Sequence, residues 1–539
     1  MTDPVDEASR IIRRFARETN LLVAGRPVRV LGADALAQSV RAVAGALGAH
    51  VIPARAAAAN GTQSGPGAQH GDVTVATPVA ADSADLLEID ATASPAKFSL
   101  GGRPIPPRGD AAGRLDFADA HMPVTHALAA ELASAGTVAG LRIGICLTLE
   151  PKTAQLALHL ATAGAQVAVY AHPDETDAEV AVVLRERGIH VVADATLSGD
   201  AEVAAASEFL CRGYDVVVDD GSHLVRLAHD VAPGEVARWI GVTEETTSGL
   251  TPLRKMAALG VLATPVIAVN DAATKTGFDN RYGTGQSCVF AIADLLEGAG
   301  VGLRDQPALV IGYGPVGHGV AAHLAALGVD VCVAEVDPIR ALLAQHDGYR
   351  VGHASELGID ALVVSATGVA GTVPASLIAA AAAVAVAGGV PGEIELDKVL
   401  DAKGSGADSL EPVSRDVERL ASAGTLVLDR GGCINVTAAE GNPIEIMDLS
   451  FATQIAAIAE LVTTRPSIGV HPLSDAAVSH VGAVAARVRG VETDVLAGAV
   501  QSAGDPGAPH PSGTPSPADD WRSLRFSIGR TPSPNLENS

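Results

Sequence analysis

The segment GYGPVG, Gly312 to Gly317, follows the apolar run PALVI and opens the helical pattern VGHGVAAHLAALG. A strand, a glycine turn and a helix in that order admit few folds. Gly312 permits the tight turn, Gly314 lets a pyrophosphate approach the backbone, and Gly317 lets helix and strand pack closely. The helix N-terminus then offers N–H donors and a partial positive charge to the phosphates. The next strand ends CVAEVDP, which places Glu335 about twenty residues on, where a carboxylate accepts adenosine ribose hydroxyls. That acid would repel a 2'-phosphate. The expected cofactor is therefore NAD rather than NADP.

The same pattern occurs once more, damaged. Arg26–Val51, RPVRVLGADALAQSVRAVAGALGAHV, aligns without a gap to Gln306–Val331 and keeps the proline, the first glycine and the Leu-Gly after the helix. Asp34 stands at the second glycine and Ala37 at the third. A carboxylate and two β-carbons would obstruct a pyrophosphate there. This copy reads as a structural half-unit that binds no cofactor, or as chance similarity between two βαβ units.

Between the two copies, strands alternate with helices. LRIGICLTL, AQVAVYA, HVVAD and YDVVVDDG read as strands, with PKTAQLALHLATAG and EVAVVLRERG as helices between them. Alternation of this kind implies parallel sheets with right-handed crossovers. The expected class is α/β, with two doubly wound parallel-sheet (Rossmann-like) domains and an N-terminal α/β extension. ARAAAANGTQSGPGAQHGD, after Pro53, reads as a flexible linker, and the chain beyond about Ala503 reads as disordered, with WRSLRFSIGR as an island able to dock.

Composition narrows the function. A formal charge of −25 over 539 residues, with no basic stripe, argues against nucleic acid. The acidic N-terminus lacks an apolar signal core, and LIAAAAAVAVAGGV, after Ser376, is too short for a membrane span. It reads as a helix end and a buried strand. Five cysteines lie far apart without a CxxC pair, so neither disulfides nor a metal site is expected. A cytoplasmic location follows as an expectation.

Asn270–Ser287, NDAATKTGFDNRYGTGQS, crowds hydrogen-bonding groups between apolar runs. On its own it reads as a hinge with a solvated face. Together with GVTEETTSGLTPLRKM from Gly241, VIGYGPVGHGVA, EVDPIRAL and DGYRV, in that order, it resembles S-adenosyl-L-homocysteine hydrolase. The resemblance runs from about Leu115 to His471 and implies an N-terminal extension over 1–110 and a substrate domain over 111–284. It further implies an NAD domain over 285–440, a return segment over 441–485 and a C-terminal tail over 486–539. It also implies a homo-oligomer, usually a tetramer.

The family oxidises a nucleoside 3'-hydroxyl, removes the acidified 4' hydrogen, expels the 5' substituent, adds water and reduces the ketone back. By resemblance, Lys275 and Asp279 handle the 3'-hydroxyl proton, while Glu245 and Asp220 hold the sugar and assist at 4'. Thr246, Thr247, Ser248, Asn280, Thr367 and Asn435 would grip NAD. An alcohol losing hydride needs a base on its oxygen, and a lysine beside two carboxylates can be tuned to serve.

The departures from the family cluster around C5' and the base. Thr148 replaces a histidine near the 5' leaving group, and Lys152, after Glu150, stands where a glutamate reads the adenine amine. GGVPGEIELD (Gly388–Asp397) replaces a second histidine-bearing loop, and Asn442 replaces the histidine before the final substrate helix. Asp220-Gly221-Ser222-His223 brings a new histidine beside the site, either a catalytic acid or a surface turn residue. Lys152 either reads the base or pairs with Glu150 at an exposed helix start. The leading expectation is a nucleoside dehydratase making a 4',5'-unsaturated nucleoside in antibiotic biosynthesis of the angustmycin type. A divergent hydrolase, an epimerase and a non-catalytic NAD-sensing subunit are the alternatives.

Overall fold

A computed structural model describes residues 3–53, 84–400 and 408–494. The linker and tail segments, with the WRSLRFSIGR island, fall largely or wholly outside the described residues. Three sheets carry the chain.

The sheet nearest the C-terminal half of the chain orders its strands Arg350–Val351, Val331–Ala334, Ala308–Ile311, Leu362–Ser365, Ala383–Val386 and Leu426–Leu428, all parallel. Two antiparallel strands, Val417–Leu420 and Leu410–Ser414, extend one edge. Chain order reverses between Ala308–Ile311 and Leu362–Ser365. That switch point is where ligands sit in open α/β sheets. The four central strands, ALVI, VCVA, LVVS and AVAV, are buried throughout, as parallel strands covered on both faces must be.

The second sheet is wholly parallel, in the order Gly469–Pro472, Pro265–Ala268, Gly241–Glu244, Val216–Asp219, Arg142–Cys146, Gln166–Tyr170 and His190–Val192. Its switch point lies between Arg142–Cys146 and Val216–Asp219. Thr148 and Asp220 follow the C-terminal ends of those two strands, so topology alone delivers both to one crevice.

The third sheet pairs His50–Val51, Pro27–Leu31 and Leu87–Asp90 in parallel, then Lys97–Leu100 and Arg103–Pro104 antiparallel. It contains the second copy of the turn motif. The amphipathic helix Pro4–Thr19, which the alternating pattern does not include, buries Ile11, Ile12 and Phe15 against the rest. Its other face pairs Arg13 with Asp294 and Glu297, and Arg10 with Glu297, on the helix Thr284–Gly298.

That helix leads from the second sheet into the first described. The return crossing enters the helix Ile444–Thr464, which is long and apolar enough to span a membrane but lies mostly buried in this chain. The N-terminal segment touches both crossings. Val23 N–H donates to Gln286 Oε1 at 2.9 Å, and Gln286 donates back to the Leu21 carbonyl at 3.1 Å. Ile444 N–H donates to the Asn20 carbonyl, and Glu445 accepts from Leu22 N–H and the Arg26 guanidinium. All five cysteines are free.

Candidate functional site

The turn Gly312–Gly317 has the geometry its spacing predicts. Gly312 has φ +93°, a left-handed backbone, and a β-carbon on Gly317 would lie 1.9 Å from the Gly312 carbonyl oxygen. Gly314 caps the helix Pro315–Ala326 with no side chain, leaving its first N–H groups open. A β-carbon at Gly314 would meet nothing closer than Arg340 Nη1 at 3.5 Å. In the damaged copy, Asp34 caps its helix instead, accepting from Ala37 N–H at 2.9 Å. The carboxylate occupies the place a phosphate would take.

Glu335 ends the neighbouring strand and accepts from Tyr313 N–H at 2.5 Å, Val336 N–H at 2.7 Å and Asp337 N–H at 2.9 Å. Three backbone donors fix the carboxylate while its remaining lone pairs can take ribose hydroxyls. Thr367 lies beside Gly312 and bonds Thr372 at 2.9 Å and Glu393 at 3.1 Å. These groups fit a dinucleotide.

A cavity of about 210 Å³ adjoins that turn at Val316. Thr148, Glu150, Asp220, Glu245, Thr246, Thr247, Ser248, Lys275, Asp279, Asn280, Asn435 and Asn442 line it, so most residues drawn from the sequence converge. Lys275 is buried, 2.8 Å from Asp279 and 3.9 Å from Glu245, and donates to Asn280 Oδ1 at 2.9 Å. Asn280 passes the chain of bonds to Asn270 at 3.1 Å, and Asn270 to Thr247 at 2.9 Å. Asn442 donates to Asp279 and Thr284 and accepts from Ser287 and Asn435. The helix Ile444–Thr464 completes the shell, with Ser450 and Gln454 each donating to Glu245 at 2.5 Å.

Burial lowers the Lys275 pKa, but Asp279, Glu245 and Asp220 outweigh it and the net shift is upward. Lys275 is thus held as an ammonium, so the tuning by its carboxylate neighbours favours the charged form. Burial raises Glu245 to about 7 despite Lys275, and it raises Asp220 as well. A carboxyl poised near neutrality in a closed cavity suits proton transfer.

Two expectations need correction. Lys152 does not line the cavity: its ammonium is 2.6 Å from Glu150 and donates to the Glu440 carbonyl at 2.8 Å and to Asn20 at 3.3 Å. It forms the expected pair with Glu150, but buried rather than exposed, because those oxygens take its donors away from any base. His223 also turns aside. Its ring packs over Gly221 and its Nδ1 lies 2.9 Å from His172 Nε2. Burial, then His172 and Arg226, depress its pKa to about 4. It is neutral at physiological pH and does not face the cavity.

Two acids were not singled out in the sequence. Glu244, beside Glu245, points to the opposite side and accepts from Gly221, Ser222 and Thr246 N–H groups, bracing the turn that carries Asp220. Burial pushes its pKa well up. Glu175, on the turn Pro173–Glu175, lines the cavity. Outside it, Asp119 lies 2.9 Å from His126 and 3.2 Å from His159, a cluster that mutual pairing accounts for.

The braced turn is itself strained. Ser222 has φ +53°, and its hydroxyl is buried without a partner. Ser222→Gly removes both costs, and a gain of about 1 kcal/mol is expected in the denaturation midpoint, after glycine's own entropy is counted. An unchanged or lowered midpoint would show that the turn is relaxed as it stands.

Residues 280–441 match the family model described as "S-adenosyl-L-homocysteine hydrolase, NAD binding domain". An S-inosyl-L-homocysteine hydrolase of Methanopyrus kandleri is 36% identical over 63% of this chain and 81% of that relative. An adenosylhomocysteinase of Aeropyrum pernix is 36% identical over 66% of this chain and 86% of its own length. An S-inosyl-L-homocysteine hydrolase of Methanosarcina mazei is 35% identical over 71% and 93%. The chain belongs to the adenosylhomocysteinase family. This family member is an enzyme of the adenosylhomocysteinase type with an NAD-binding domain. The glycine cradle and Glu335 belong to that domain, and the Lys275 cluster faces it across the cavity.

Proposed function

We propose that this family member dehydrates a nucleoside bearing a 5'-hydroxyl and releases a 4',5'-unsaturated nucleoside, in antibiotic biosynthesis. One observation carries the reading. The sugar-oxidising cluster of Lys275, Asp279, Glu245 and Asp220 is intact, yet no histidine lines the cavity among the described residues. Adding water to an alkene needs a base that activates it. No imidazole stands there to do so; the ionisable groups lining the cavity with Thr148 on that side are the carboxyls of Glu150, Glu175 and Asp220.

When bound on the glycine cradle, NAD supplies a hydride acceptor for the sugar's 3' carbon and later returns the hydride. The chain's own groups handle the protons. Lys275, as an ammonium, polarises the 3' oxygen, and Asp279 beside it takes up and returns its proton. Glu245, near neutrality and fixed by Ser450 and Gln454, accepts the 4' proton, assisted by Asp220. Asn442 and Asn280 hold Asp279 and Lys275 in register. A tetramer, from the family likeness, and a cytoplasmic location, from the cysteine usage, accompany this reading as proposals.

Hydrolysis of a thioether nucleoside is the second reading, favoured by the names of the relatives. The deciding measurement incubates the NAD-loaded protein in deuterated water with 5'-hydroxyl nucleosides of adenine and hypoxanthine and, separately, with S-adenosylhomocysteine. From a 5'-hydroxyl nucleoside, solvent deuterium is expected at C4' of the recovered substrate, and an exocyclic alkene as the product. Rapid homocysteine release with no alkene would replace this reading with the hydrolase.

A further inference from the structure

We propose that Glu175 is the acid that protonates the oxygen leaving C5', an assignment that rests on the dehydratase reading. Expelling hydroxide from a 4' carbanion is harder than expelling a thiolate, so a dehydratase needs a proton donor at that oxygen. His223 is excluded by its position, and Thr148 is no acid near neutral pH.

Glu175 meets the geometric need. It lines the same cavity as Thr148, and backbone bonds tie its turn to the residue after Thr148. Leu149 N–H donates to the Glu175 carbonyl at 2.9 Å, and Asp177 N–H donates to the Leu149 carbonyl at 3.0 Å. Cys433, which precedes the helix Ile434–Thr437, lines the same cavity. Among the described residues, no hydrogen bond or ion pair engages the Glu175 carboxyl, so no cation holds it as a carboxylate.

The surroundings favour the acid form. Burial, then Asp220, Asp174, Asp219 and Glu202, raise its pKa to about 8. Cys146, Tyr170 and Cys433 are the other titratable groups close by, and His172 is engaged by Glu202 and His223. A carboxylic acid that keeps its proton at pH 7 beside a bond that must lose an oxyanion is placed to donate it.

The step balances without a co-reactant. The electron pair left at C4' forms the C4'–C5' double bond, and the C5'–O bond breaks. The departing oxygen takes the Glu175 proton and leaves as water, and solvent reprotonates the carboxylate.

Glu175→Gln keeps the shape and removes the acid. With a 5'-hydroxyl nucleoside it should still exchange the 4' hydrogen with solvent deuterium, while alkene formation falls roughly 10²–10⁴-fold. Glu175→Asp should recover part of that loss. In the wild type, alkene formation should fall as pH rises through about 8, the proton being lost there, and Glu175→Gln should lack that limb. Infrared difference spectra of the holoenzyme without substrate give a second readout: a protonated carboxyl band near neutral pH that Glu175→Gln removes. Wild-type alkene rates in Glu175→Gln, or absence of that band, overturn the role while leaving the dehydratase reading standing. A wild type that exchanges the 4' hydrogen but yields no alkene overturns both.

Discussion

Gly314→Asp is expected to give a folded protein that purifies without NAD. The side chain has room, since the nearest atom to a β-carbon there is Arg340 Nη1 at 3.5 Å, and φ of −71° suits any residue. The damaged copy already carries this substitution. Asp34 turns its carboxylate onto the helix N-terminus and takes the N–H groups that would otherwise hold a phosphate. The same residue at Gly314 places a negative charge against a pyrophosphate and removes its donors together. Cofactor content after denaturing extraction, against an unchanged circular dichroism spectrum, reads the result. Full NAD content in the variant would mean that the pyrophosphate does not rest on this helix end.

Lys275→Ala and Asp279→Ala should each cut the appearance of reduced cofactor on substrate addition by roughly 10²–10⁴-fold, the usual cost of losing a proton-transfer group. Absorbance of the reduced nicotinamide follows it directly, and NAD should stay bound. Lys275→Ala also strips the one cation from a buried set that includes Asp279, Glu245 and Asp220. Breaking a buried pair this way costs about 3–5 kcal/mol, against a total stability of about 5–15. Its thermal midpoint should therefore drop well below that of Asp279→Ala, which removes an acid and leaves Lys275 two others. Normal cofactor reduction by a folded variant of either kind would take that residue out of the oxidation step.

Residue types with few alternative uses were the ones legible in the sequence. Three glycines at fixed offsets after an apolar strand have little reason to occur otherwise, whereas the polar stretch around Lys275 became legible only through its family resemblance. Parallel sheets followed from the alternation of strands and helices, while the strand orders and their switch points did not. Direction was harder to read. Glu244 and Glu245 are adjacent and chemically alike, and only the strand's end decides that one faces the cavity and the other braces a turn. His223 follows Ser222 in a left-handed conformation that swings the helix start aside, something no spacing rule anticipates. Glu175 sits in HPDET, a short turn with no periodic signature, and gains its meaning only from the strand end beside it. The helix Pro4–Thr19 was not read from the sequence at all, and the partners of its charged residues, Asp294 and Glu297, lie nearly three hundred residues away.

That helix and the segment 20–26 after it act as a splint across both of the chain's passages between its two large sheets. Any widening of the cleft that parts the passages at Gln286 and at Ile444–Glu445 has to break bonds from one segment to both. Residues 20–26 are bonded to both, with Arg13 and Arg26 buried at either end. Escape of a molecule held between the sheets thus becomes a matter of breaking a clasp, and its residence time reflects that clasp as much as the grip of the cleft itself. Because ion pairs form part of the clasp, its partly exposed members loosen as ionic strength rises.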